Sequence, residues 1–460
     1  MGVRDSRRTT KSCKKTGMRR VVLGALVLLS CSPLRPEDDG GLADLPDAAV
    51  EDAGSLDDAG VTDAGAFDAG ATPVEDAGTA IQDAGAPLTC PKHGPIAGYS
   101  EHDGLRAIAA DNFVLRDTDT WTSYADTFDA LGLPKVGLEV LPLNRTATSM
   151  GNKPWPGFGG GFFWESGDLT VDYWIPQGLA GGVAGARSYV AVSWHYESVG
   201  DPNPPTDGTD KGSRVSFADV TQLSAGVTYR HVLFVEPDVT RGIKPVNIHV
   251  GGLAWSGSRL YVADTSRGLR VFDLSRISRV STATSCSTIA GKSGTDVCAY
   301  GYEYVLPQIG GYYLPSGASS SCKPSFSHVA LDRSTTPHTL ISGEYDNDVD
   351  AGIYSRVLRW PLTSTDGRMK AIDAWYAGSR NVQGAIASGP RFFMNVTRYN
   401  GALVTGTVGS PSRVLKASDG DWGWMPEGLY VSAAGNLWVS TEGHANLARS
   451  VFYVRIADVP

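Results

Sequence analysis

Between residues 250 and 274 the chain reads VGGLAWSGSRLYVADTSRGLRVFDL, with apolar positions alternating in LAW, LYVAD and LRVFDL. The runs are broken at Ser256-Gly257-Ser258 and Ser266-Arg267-Gly268. A period of two marks half-buried strands and the glycine-containing breaks mark tight turns, so the stretch predicts three short antiparallel strands. The plan recurs. First strands begin around Gln177-Gly178-Leu179, Gly251-Gly252-Leu253, His328-Val329-Ala330, Gln383-Gly384-Ala385 and Glu427-Gly428-Leu429. Second strands follow as SYVAVSW from Ser188, RLYVAD from Arg259, HTLISGEY from His338, RFFMNVT from Arg391 and NLWVSTE from Asn436. Third strands start at Ser213, Gly268, Ser355, Ser412 and Ser450, and three of them share Ser-Arg-Val.

An antiparallel unit repeated with no helical period between copies predicts an all-β fold, a β-propeller of five blades. Fourth, outer strands are read at Tyr229, Tyr302 and Ala371, with DWGWM from Asp421 as a shorter one. The last copy ends with the chain, so its outer strand must come from upstream; LTVDYW, Leu169 to Trp174, is the candidate, closing the ring and leaving no open sheet edge. A six-bladed ring is the alternative, drawing another sheet from residues 90 to 166. That region reads instead as a helix over Asp119 to Leu131 and a loop at Trp155-Pro156-Gly157-Phe158-Gly159-Gly160-Gly161. The insert Ser278 to Gly301 is expected to cover one face. The expected divisions are 1–30, 31–88, an extension at 89–166 packing on the propeller, and the propeller at 167–460.

The stretch from 167 to 460 resembles secreted bacterial propeller domains of uncharacterised function, through Tyr173-Trp174-Ile175-Pro176-Gln177-Gly178, Tyr229-Arg230-His231-Val232-Leu233 and Leu260-Tyr261-Val262-Ala263-Asp264-Thr265. The resemblance implies a fold and no reaction.

Upstream, residues 1 to 20 carry eight Lys and Arg and are followed by the apolar run Val21 to Leu29. Basic, then briefly apolar, then small describes a secretory signal that is too short to span a bilayer. Leu28-Leu29-Ser30-Cys31 resembles the bacterial lipobox, which implies an acylated Cys31 as the mature N-terminus and membrane attachment through lipid. Ser32 in place of Asp favours the outer membrane or cell surface. Ser6-Arg7-Arg8 is similar to a twin-arginine signal, but Thr10 and Lys11 depart from it, and Met18 is a second candidate start.

Residues 36 to 88 repeat Asp-Ala-Gly six times and contain one aromatic residue, Phe67. Such a segment buries too little apolar surface to offset its chain entropy, so it is expected to be a solvated tether with a reach of roughly 40 Å. Without signal and tether the charges nearly balance, 31 Lys and Arg against 34 Asp and Glu. That leaves no basic surplus for phosphates and excludes nucleic acid as an expected partner; a monomer meeting an extracellular ligand is expected.

Export places Cys90, Cys286, Cys298 and Cys322 in an oxidising space, and four cysteines allow three pairings. Cys286 with Cys298 closes a short loop and leaves Cys90 for Cys322; the other pairings stay open.

In a propeller the inner strands line an axial channel. The polar residues at or before them, Gln177, His249, His328, Gln383 and Glu427, are candidates for holding a small ligand or a cation, with Ca²⁺ the candidate ion. Filling the axis and satisfying backbone groups would explain them equally. At the ends of the second strands His195, Asp264, Glu344 and Glu442 are channel-mouth candidates for acid–base work, with His444 close by. No GxSxG elbow or matched Ser-His-Asp spacing is visible, so no catalytic residue is assigned. Asp346, Asp348 and Asp350 alternate as in a calcium loop, but Gly352 falls one place late and Val357 stands where an EF-hand has its closing Glu, leaving a looser site as the weak candidate. Trp155, Trp164, Trp174, Trp194, Trp375, Trp422 and Trp424 either line a sugar-binding face or pack between blades. Non-catalytic binding of an extracellular glycan, peptide or protein is the leading expectation; a metal-dependent hydrolase or lactonase and a structural envelope component are the alternatives.

Overall fold

A computed structural model describes residues 90–91, 94–346, 352–443 and 449–460. The signal, Cys31, the acidic segment, Asp348, Asp350 and His444 lie outside the described residues.

Among the described residues, antiparallel runs of four paired strands succeed one another along the chain. The first runs Trp174–Ala184, Arg187–Tyr196, Ser213–Asp219 and Val227–Asp238. Leu253–Ser256, Arg259–Asp264, Gly268–Asp273 and Tyr304–Tyr313 form the second. The third is His328–Asp332, Thr339–Gly343, Arg356–Pro361 and Asp373–Tyr376. The fourth is Val382–Ser388, Arg391–Val396, Ala402–Thr407 and Arg413–Lys416. In the fifth, Pro426–Val431, Asn436–Thr441 and Ser450–Arg455 are joined by Phe158–Phe163. The chain folds as an all-β, propeller-type protein. Each sheet is covered on both faces: along Arg187–Tyr196, Val190, Val192 and Trp194 are buried on one face and Tyr189 and Ala191 on the other.

Three of the expected strands are placed differently. An N-terminal strand does complete the last sheet, but it is Phe158–Phe163, paired Ser450↔Phe163 and Phe452↔Gly161, and not Leu169 to Trp174. The glycines that read as a loop are what the pairing needs: a Cβ on Gly159 would lie 2.1 Å from the Tyr453 ring, and one on Gly161 2.6 Å from the Val451 carbonyl oxygen. Ser166–Leu169 is instead a helical turn, and Trp174 opens the first inner strand. Phe158–Phe163, upstream of residue 167, thus belongs to the last sheet. In the fourth sheet the third strand is Ala402–Thr407, and the Ser-Arg-Val segment lies one strand further out, as Arg413–Lys416. DWGWM forms no strand. Its Trp422 is turned into the core against Phe452, ring centroids 5.4 Å apart, and so packs outside any ladder.

Upstream strands attach to the edges of these sheets. Arg106–Ile108 pairs with Asp373–Tyr376, Val114–Asp117 with the end of Tyr304–Tyr313, and Arg145–Ser149 with both Val227–Tyr229 and the closing strand. The helix expected over 119–131 is Trp121–Asp129, its Trp121 ring 5.5 Å from that of Tyr312. Disulfides join Cys90 to Cys322 and Cys286 to Cys298. The second of them ties the insert, whose hairpin is Ala290–Ser293 with Asp296–Ala299. Among the described residues no helix is long and apolar enough to cross a membrane.

Candidate functional site

The five inner strands approach one another very closely. A Cβ on Gly252 would sit 2.0 Å from the Val329 nitrogen, and one on Gly428 2.2 Å from the Leu179 nitrogen. Only glycine permits this, which explains why the polar residue of the repeat is followed so often by glycine. Side chains of the second strands tie the contacts: Ser193 Oγ donates to the Val250 carbonyl at 2.7 Å, Ser440 Oγ to the Gln177 carbonyl at 2.7 Å, and Asn395 Nδ2 to the Glu427 carbonyl at 2.7 Å.

Antiparallel pairing puts the beginning of each inner strand beside the end of the second, so both expected sets of polar residues fall at the same end of their sheets. Ile175 is opposite His195, His328 opposite Gly343, and Pro426 opposite Thr441. Gln177, His328 and Glu427 are buried and Gln383 is half-buried. His249 is ringed by protein yet reaches solvent.

Their partners differ. The rings of His195 and His249 lie 4.3 Å apart between centroids, tilted by 30°, and His195 Nε2 is 3.2 Å from Glu197 Oε1. Burial, and the neighbouring His195, push the His249 imidazole down to about 3. Burial likewise pushes His328 down to about 3, against a smaller opposing pull from Glu344. Neither ring nitrogen of His328 has a hydrogen-bond partner among the described residues. Glu427 is also fully enclosed; burial first, then the neighbouring Glu442 carboxylate and its hydrogen bond, hold its carboxyl well above the usual range. Its Oε1 has no partner among the described residues. Gln177 turns its amide to its neighbour, Nε2 donating to the Pro176 carbonyl at 3.1 Å.

Asp264 and Glu344 have a different duty. Arg270 Nε donates to Asp264 Oδ2 at 2.8 Å, and Arg356 grips Glu344 with Nε and Nη2 at 2.8 and 2.6 Å. The arginines sit on the third strands of the same sheets, and Arg356 belongs to the repeated Ser-Arg-Val. Repetition of the pair points to a clamp between strands, since breaking a buried pair leaves an uncompensated charge.

A third cluster was not legible from spacing. Trp194 Nε1 donates to Ser216 Oγ at 2.7 Å, Ser216 Oγ meets His231 Nδ1 at 2.7 Å, and His231 Nε2 meets both oxygens of Asp168 at 3.0 Å. Ser, His and Asp are thus assembled from the third and outer strands of the first sheet and the turn at 166–169. Ser216 is fully buried and already accepts the indole proton, so the set is a closed relay that pins three strands, with no nucleophile presented. Burial opposes ionisation of Asp168, but His231, Arg214 and Arg145 together hold it far below the usual carboxylate range.

Among the described residues no group of three His, Cys, Asp or Glu is placed to hold a metal ion. Asp346 is half-buried at the edge of the segment containing Asp348 and Asp350. Of the seven tryptophans singled out, Trp164, Trp174, Trp194, Trp375 and Trp422 are buried, whereas Trp424 is 42% exposed, two residues ahead of the strand carrying Glu427.

No family model and no curated protein matches the chain. Solved structures with some likeness include glutaminyl cyclase from Myxococcus xanthus, 12% identical over 68% of this chain and 97% of that one with a TM-score of 0.32. A GH43_1 enzyme from Xanthomonas citri is 9% identical over 62% and 88%, TM-score 0.30. The soluble aldose sugar dehydrogenase of Escherichia coli is 12% identical over 70% and 98%, TM-score 0.28. Identity and TM-score are too low to carry an activity across.

Proposed function

We propose that this protein is exported, anchored to the outer membrane or cell surface through lipid on Cys31, and presents a monomeric five-bladed propeller that binds a neutral, hydroxyl-rich ligand, an extracellular glycan, without turnover. Two disulfides suit the oxidising compartment that this requires. The observation that carries the reading is that buried polar atoms at the same end of the first, third and fifth sheets lack partners among the described residues: both nitrogens of His328, Nδ1 of His195 and Oε1 of Glu427. A buried polar group left unpaired costs about 1–3 kcal/mol, so such atoms favour a ligand that pairs them. Burial keeps His328 neutral and raises the Glu427 carboxyl well above the usual range. These groups therefore offer donors and acceptors with little charge, which suits hydroxyls better than ions. Exposed Trp424 adds an apolar face on which a sugar ring can stack.

Full-length protein on an array of neutral and acidic glycans tests this. Binding to neutral glycans, weakened at least about tenfold by Glu427→Ala and Trp424→Ala, supports the reading; no glycan bound, or variants that bind unchanged, defeats it. The raised Glu427 carboxyl beside Glu442 favours one second reading, a hydrolase or lactonase. A carboxyl whose affinity for its proton is raised beside a second carboxyl can divide acid from base. The metal-dependent form of that reading would need Ca²⁺ held by Glu427 with Gln177, His249, His328 and Gln383, residues that the described geometry does not bring together as a metal site; it would have stoichiometric metal and turnover lost together in Glu427→Ala.

A further inference from the structure

A cavity of about 360 Å³ opens away from the inner strands, between the outer strand of the first sheet and the disulfide-tied insert. Its lining includes Arg145, Arg214, Arg230, His231, Tyr302 and the carboxylate of Glu303. That volume suits a sugar- or amino-acid-sized ligand.

The arginines are held, not loose. Arg214 is 4% exposed and sandwiched between Trp174 and Trp194, its guanidinium carbon 4.5 and 4.8 Å from their rings. It donates from Nη2 to Asp168 at 3.1 Å and from Nη1 to the Tyr302 hydroxyl at 3.0 Å, while its buried Nε has no partner among the described residues. Arg145 bridges Glu165 and Asp168 at 2.9 and 3.2 Å. Arg230 rests on the Tyr304 ring, 4.7 Å from its centroid, and engages Glu303 through Nη2. Tyr302, having accepted from Arg214, keeps its own hydroxyl proton for a ligand. The insert side is fixed by Tyr300, whose backbone has a φ of 51° and whose hydroxyl donates to the Asp210 carbonyl at 3.2 Å.

The charges around this wall do not cancel. Glu303 is shared by Arg230 and Arg279, Asp168 by Arg145 and Arg214, and Glu165 bonds Arg145. Within that network four guanidinium groups meet three carboxylates, and the nearby Asp207 is matched by Arg241. Burial keeps His231 neutral, so it adds no charge. In the ion pairs of this wall guanidinium groups thus outnumber carboxylates, beside a concave surface that is rich in N–H and O–H donors. We infer that this cavity is a second ligand site, which takes the carboxylate of a small sugar acid or amino-acid derivative against Arg214, Arg230 and Tyr302. A planar carboxylate with a single charge matches both the guanidinium fork and the surplus; a phosphate dianion exceeds it.

Isothermal titration of the full chain at low salt with D-glucuronate, N-acetylalanine, D-glucose and inorganic phosphate tests the assignment. Binding of glucuronate, N-acetylalanine or both, with glucose at least tenfold weaker, is expected, and the two carboxylates distinguish a sugar acid from a peptide end. Arg230→Gln, at a half-buried position where folding can be checked by circular dichroism, should weaken binding roughly 10- to 100-fold. Glu427→Gln, at the other site, should leave it unchanged. Glucose binding as tightly as glucuronate, phosphate binding with neither carboxylate bound, or an unaffected Arg230→Gln overturns the proposal. Its failure leaves the glycan reading at Glu427 and Trp424 untouched.

Discussion

Ser216 and His231, 15 residues apart in the chain, are joined by a 2.7 Å hydrogen bond between Oγ and Nδ1, and the far side of the imidazole meets Asp168 at 3.0 Å. The geometry is that of a serine nucleophile with its base, but the surroundings are not. Trp194 donates to the same Oγ at 2.7 Å, and no part of Ser216 reaches solvent. A serine-reactive fluorophosphonate should therefore leave the folded protein unlabelled, and Ser216→Ala should destabilise it by about 1–3 kcal/mol with glycan binding intact. Labelling at Ser216, read by mass spectrometry, would reverse this assignment.

Asp168 is the charge that makes Arg214 tolerable between two indoles. Asp168→Asn leaves a buried guanidinium without its counter-charge and should cost about 3–5 kcal/mol in urea unfolding. A change within about 0.5 kcal/mol would mean that the tryptophan faces alone hold the arginine.

Acid sensitivity follows from His328. Its folded value, pushed down to about 3, lies below the ordinary 6.5, so the unfolded chain binds more protons between those values and stability falls as pH drops through that window. Each such histidine contributes a slope of about 1.4 kcal/mol per pH unit. In chemical denaturation between pH 7 and pH 4, His328→Gln should flatten the dependence by about that amount; an unchanged slope would show that the imidazole is protonated in the folded protein.

Glu427 has the opposite sign. Its folded carboxyl lies above the ordinary range, so it favours folding at low pH and loses that contribution as pH rises. Glu427→Gln should melt a few degrees above wild type at pH 8 and level with it near pH 4, whereas Glu427→Ala, which also loses packing, should melt lower at both. A Gln variant that melts lower at pH 8 would show that the carboxylate is ionised and paired.

Gly252→Ala would force a Cβ to within 2.0 Å of the Val329 nitrogen. Overpacking of this kind costs about 1–3 kcal/mol. Gly317→Ala, with nothing within 4 Å of the new carbon, is the control and should melt as wild type does. Equal melting temperatures for the two variants would mean that the inner strands can separate without penalty.

What the sequence determined by itself was local and periodic. Alternation in segments such as Arg259–Asp264 and Thr339–Gly343 specified strands, because burial of a strand face has period two, and the recurrence of polar residue and glycine marked most of the inner strands. Helix Trp121–Asp129 was legible in the same way, and the short spacing of Cys286 and Cys298 was enough to favour their disulfide. The remainder depended on which strands meet. Phe158–Phe163 looked like a loop because glycine has no side chain with which to signal a strand; only the Tyr453 ring and the backbone at Val451, supplied from the other end of the chain, explain why glycine is required there. The misplaced Ser-Arg-Val in the fourth sheet shows the same limit, since a local motif carries no record of its rank in the ladder. Asp168, Ser216 and His231 have no spacing that relates them, and their hydrogen bonds exist only once three strands and a turn are packed together. The roles of Asp264 and Glu344 were likewise tertiary: an acid at the end of a strand is a candidate base until an arginine on the next strand is found holding it.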